Sequence, residues 1–135
     1  MITCALALAS AMLHAEPAAN GDAWRGWDDH TRRGYVAGAL DGAELGATVA
    51  VFGCNLQADD DQQRACNKAT IGAYRNGRQR YLQPVAPEQL IQGLDALYSD
   101  PLNRVISLKA GLQAVVYQLG GLPDPQSLIE AYRRP

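Results

Sequence analysis

Beyond Thr31 the apolar residues of this chain recur at intervals of three and four, and the strict alternation of a half-buried strand is nearly absent. That spacing predicts five helices. The first starts around Asp28 to Thr31, where Asp28 and Asp29 suit capping and the positive end of the helix dipole. It runs through RRGYVAGALDGAELGATVAVF and ends near Gly53. Trp24 and Trp27 lie just before it and are expected to fold back onto the core. The second helix begins at Asp59 or Asp60 and reaches Tyr81 or Leu82, with Cys66, Ala69, Ala73, Tyr74 and Tyr81 on its inward stripe. Pro87 opens the third as its first helical residue, and Leu90, Ile91, Leu94, Leu97 and Tyr98 form its apolar face. Ser99-Asp100-Pro101 interrupts the pattern, because the residue before a proline avoids the helical region. Ser107 caps the fourth helix, which buries Leu108, Leu112, Val115, Val116 and Leu119 and closes at Gly120-Gly121. Asp124 and Pro125 start the fifth, with Leu128, Ile129 and Tyr132 turned inward. The expected fold class is all-α, a single small bundle of about five helices with one disulfide.

One feature of the first helix breaks its ordinary pattern. Gly34, Gly38, Gly42 and Gly46 recur every four residues and leave a ridge without side chains. Each glycine costs a helix about 1 kcal/mol relative to alanine, so the ridge needs compensation. Close approach of another backbone supplies it. Tight packing against the small inward residues of the second helix is the expectation. The seam of a homodimer and a ligand lying against bare backbone are the alternatives. Asp41 and Glu44 argue against a membrane span here.

The N-terminus changes the cysteine arithmetic. Ile2 to Leu13 is an uncharged run of apolar and small residues followed by His14-Ala15-Glu16-Pro17, the length of a secretory leader and too short to span a bilayer. Removing residues 1–15 as a signal peptide takes away Cys4 and leaves Cys54 and Cys66 as a pair, most simply one disulfide in a periplasmic or secreted protein. Closing that ring stabilises the fold by about 3 kcal/mol in the chain-entropy model. Residues 16–27 then read as a flexible N-terminal segment and residues 28–135 as one helical domain, with no membrane span after the leader. Twelve basic and fourteen acidic side chains are interspersed. No basic stripe emerges, so nucleic acid is excluded as a partner.

Catalytic chemistry is hard to assemble from these residues. His30 is the only histidine after the leader and belongs to a helix start. Asp59, Asp60 and Asp61 are consecutive, where a calcium loop needs alternating acidic positions. Zinc would need two ligands beyond the cysteine pair and His30 alone remains, so neither metal nor cofactor is expected. The densest polar constellation is Tyr98, Ser99, Asp100, Asn103 and Arg104, on a tight turn between two helices. It is the candidate partner-binding turn. Its structural alternative has Asp100 and Asn103 satisfying backbone groups at two helix ends, with Arg104 pairing to Asp100.

The stretch TRRGYVAGALDG, the cysteine pair, and APEQLIQGLDALYSDPLNRVISLKAGLQAVV together resemble small exported bacterial helical proteins of uncharacterised function. More distantly, the order of parts is similar to the helical immunity proteins that protect bacteria from type VI amidase effectors. The likeness runs from Trp24 to Leu119. It implies a non-catalytic binding protein whose partner is a toxin or cell-wall enzyme and which acts by covering that partner's cleft. A small periplasmic enzyme, and a structural envelope protein that self-associates through the glycine helix, are the other readings the residues allow.

Overall fold

The computed structural model describes residues 19–56, 59–121 and 123–134. The expected leader and its cleavage region, with Cys4, lie outside the described residues. Six α-helices occur among those described, with no strand beyond an isolated bridge between Asn20 and Ser107. The all-α class and the disulfide are therefore as expected, with one helix more.

That helix is α1, Gly21–Gly26, and it lies within the segment 16–27 that was expected to be flexible. Asn20 caps it, its side-chain oxygen accepting from the backbone N–H groups of Asp22 at 3.1 Å and Ala23 at 3.3 Å. The physical reason is Trp24, which is 0% exposed. Its indole N–H donates to Asp95 at 2.8 Å, and Arg32 lies over its ring, 5.5 Å from the centroid, while reaching the same carboxylate at 3.3 Å. Burying an indole whose N–H is satisfied offsets a large part of the entropy cost of ordering six residues.

The other helices start where the caps place them. Asp28 precedes α2, Asp29–Cys54, and accepts from Thr31 N–H at 2.8 Å. Asp59 precedes α3, Asp60–Gly77, which continues into a single π turn over Arg78–Leu82. The Ala86 N–H donates to the Gln89 side chain at 2.8 Å at the start of α4, Pro87–Ser99. Ser107 caps α5, Leu108–Leu119, and Asp124 caps α6, Pro125–Tyr132. Gly121, at φ 75°, occupies the left-handed conformation that lets the chain leave α5.

The core lies where α4 crosses α5 under α1, the first half of α2, and α6. Leu90, Leu94, Tyr98, Ile106, Leu108 and Val115 are its largest aliphatic and phenolic members. Two glycines allow the helices to meet this closely. A β-carbon at Gly93 would strike Val115, and one at Gly111 would strike the Tyr98 hydroxyl.

The second half of α2 and all of α3 stand apart as a hairpin. Val36 and Cys54 are the fully buried residues of α2, and no described residue of α3 is fully buried. Ala69 and Ala73, expected inward, are exposed, and so is Leu119 of α5. The bridge from Cys54 to Cys66, Cα atoms 5.6 Å apart, clamps the hairpin at its turn. Thr70 Oγ1 lies 3.6 Å from the Cys54 sulfur just inside it.

Candidate binding surface

The turn at residues 98–104 was the expected recognition element; Tyr98, Ser99, Asp100 and Asn103 are hydrogen-bonded internally, and the buried Nε of Arg104 has no partner among the described residues. Tyr98 is fully buried, its hydroxyl donating toward the carbonyl oxygens of Ser107 at 3.1 Å and Ile106 at 3.3 Å. Burial, then the neighbouring Tyr35, pushes its phenol well above the ordinary value of 10.0. Ser99 donates to the carbonyl of Ala96, ending α4. Asp100 accepts from Leu102 N–H at 2.9 Å, starting the next turn. Asn103 is buried; its amide donates to the carbonyl of Leu97 at 2.7 Å and its oxygen accepts from Arg133 at 2.8 Å. The same guanidinium holds Asp100 at 2.8 Å.

The expected Asp100–Arg104 pair is thus corrected: Arg133, reaching back from the end of α6, takes that place. Arg104 instead contributes its backbone, its carbonyl accepting from Gly21 N–H at 3.0 Å. The constellation fastens α1, α4 and α6 together. Sequence spacing put these polar groups near one another but could not show a residue thirty positions away arriving to consume them.

The glycine ridge carries a second correction. A β-carbon built at Gly34, Gly38, Gly42 or Gly46 would meet nothing within 4 Å. These residues do not pack against α3. α2 meets α3 through its other side, where Ala47 and Val51 face Thr70, Ile71 and Tyr74 across a cleft of about 270 Å³, with Arg78 3.9 Å from Glu44. At one residue per 100° of turn, the packed and glycine sides lie on opposite sides of the helix.

The ridge continues as an apolar line. Leu45, Val49 and Phe52 are 64%, 58% and 62% exposed, and Leu56, in the turn after the helix, is 86% exposed. Together with Gly34, Gly38 and Gly42 they fall within about 80° of arc. Large apolar side chains scattered singly on a surface are ordinary, whereas four in one line form a continuous apolar patch. Sequence reasoning missed it because it assigned the glycine ridge to packing against the second helix. The signal was present: α2 is apolar around most of its circumference, and a hairpin helix can bury only one side. By length and composition α2 is also apolar enough to cross a membrane, although Asp41 and Glu44 sit in its middle.

Elsewhere the described residues hold capping chemistry. Asp28 and Asp124 are held below the ordinary carboxylate range, in both cases by hydrogen bonds from the first turn they cap, Thr31 and Ser127 respectively. His30 is exposed in the first turn of α2. Among the described residues, no three His, Cys, Asp or Glu side chains gather to hold a metal ion. Compared with known protein families, characterised proteins and solved structures, the chain matches none.

Proposed function

We propose that this chain is a non-catalytic protein-binding module of the periplasm or extracellular space, and that the outer side of α2 is the surface it presents. The observation that carries the reading is the line Leu45, Val49, Phe52 and Leu56, four large apolar side chains left in water along a helix and the turn that follows it, clamped there by a disulfide. The bridge fits an oxidising compartment, and the apolar leader at residues 1–15 fits export into one. Rigid presentation supports binding, because a preformed helix loses little conformational freedom when a partner arrives.

The finer form of this reading is inhibition of a toxin or cell-wall amidase, the role implied by the immunity-protein resemblance. A photo-crosslinking side chain at Val49 tests the surface, with one at Glu130 on α6 as the control. In envelope preparations Val49 is expected to give one discrete adduct, identified by mass spectrometry, and Glu130 none. Equal labelling from both positions, or none from Val49, overturns the assignment. Co-purification of a stoichiometric hydrolase that loses activity in the complex would establish the finer form.

A further inference from the structure

Resting on that reading of the α2 face, we infer that its occupant is a second copy of this chain, packed antiparallel about a two-fold axis at Leu45. The argument is the order of side-chain sizes along the line. Gly38 and Phe52 lie seven residues before and after Leu45, and Gly34 and Leu56 lie eleven before and after it. Gly42 and Val49 flank it at three and four. Phe52 and Leu56 therefore each have a bare position at the same distance on the other side of Leu45, and Val49 has one a residue nearer. Contact about a two-fold axis requires a surface complementary to itself, and this one becomes so when one helix is reversed. Phe52 of each copy then seats over the backbone at the other's Gly38, about 10 Å from the axis along the helix.

The parallel arrangement fails on the same residues. It sets glycine against glycine and bulk against bulk, leaving a gap at one end and forcing the helices apart at the other. It also brings Asp41 against Asp41, whereas the antiparallel pair separates them by about 12 Å along the axis, beyond a physiological screening length. Size is consistent too. The four exposed side chains offer on the order of 500 Å² of apolar surface per copy, and the bare glycine backbone extends this toward the roughly 800 Å² of a standard interface.

The glycines separate this inference from general stickiness. In the free chain a β-carbon at Gly38 meets nothing, so Gly38→Leu leaves the fold intact and adds apolar surface. A membrane or an unspecific apolar partner would then bind more tightly, while the antiparallel dimer loses the seat for Phe52.

Sedimentation velocity of the native protein across about 1 to 500 µM is expected to show twice the monomer mass at the upper end. Phe52→Asp should weaken dimerisation about 100-fold and Gly38→Leu about 10-fold, with helicity retained in both. A short bis-maleimide added to a mixture of Gly38→Cys and Phe52→Cys chains should join 38 to 52, whereas 38–38 and 52–52 products would overturn the antiparallel order. A strict monomer throughout, or tighter association in Gly38→Leu, overturns the dimer. A monomer whose Val49 crosslinks a different protein removes this inference and leaves the binding function standing. A monomer that co-floats with phosphatidylethanolamine–phosphatidylglycerol vesicles and gives no protein adduct removes both.

Discussion

At the scale of single residues, the polar groups of the 98–104 turn show how tightly a small core constrains its hydrogen bonds. Tyr98 is neutral in the fold because burial opposes its ionisation, and its pKa is raised above the unfolded value of 10.0. The folded form therefore holds its proton more strongly. The associated stability is complete below about pH 10 and declines as pH rises above it toward the folded value. In an alkaline titration followed at 295 nm and by circular dichroism, Tyr98 should ionise only as the helices melt. A full complement of phenolate with helicity intact would contradict this. Tyr98→Phe should flatten the decline above pH 10. Arg133→Ala removes the donor to the buried oxygen of Asn103, an orphaned acceptor costing about 1–3 kcal/mol. The expected drop in Tm is several degrees, measured by thermal denaturation. The distance of Arg133 from the turn is why this partner was illegible in sequence: helical spacing orders neighbours within about a turn, and thirty residues lie beyond it.

At the scale of elements, caps and prolines were legible because each acts within its own first turn. Asp28, Asp59, Ser107 and Asp124 all stand at helix starts, as their side-chain chemistry dictates. The direction in which an element faces was less legible. The ridge on α2 was assigned to α3 because both present small residues, yet two small surfaces have nothing to interdigitate, and α3 meets the side bearing Ala47 and Val51 instead. The hairpin depends on its bridge accordingly. Replacing both Cys54 and Cys66 by serine should destabilise it by about 3 kcal/mol, the entropy of closing a thirteen-residue ring. Because the hairpin buries so little, the loss should appear as faster hydrogen exchange in residues 45–77 with exchange in α4 and α5 unchanged. Uniform acceleration across the chain would show the hairpin to be integral to the core.

At the scale of the whole molecule, the fold divides into a core of α1, α4, α5, α6 and the start of α2, and a projecting disulfide-clamped hairpin. Trp24 ties the N-terminal segment to that core, packed against Trp27 and Tyr35 and bonded to Asp95. Trp24→Ala should cost about 3–5 kcal/mol, a large share of the 5–15 kcal/mol typical of a small domain. Urea denaturation should show a correspondingly lower midpoint, and a shift of less than 1 kcal/mol would mean that α1 is an appendage.

The amino-acid order by itself determined the all-α class, the start of each long helix, the pairing of the two cysteines and most of the α4–α5 core. Those features depend on interactions within a few residues or, for the cysteines, on setting Cys4 aside with the expected leader, so that Cys54 and Cys66 alone are left to pair. Tertiary structure alone decided which side of α2 stays in water, which arginine reaches Asp100, and that residues 21–26 are a helix. Each of these is settled by a contact between distant segments, and periodicity along one segment carries no information about what arrives from another.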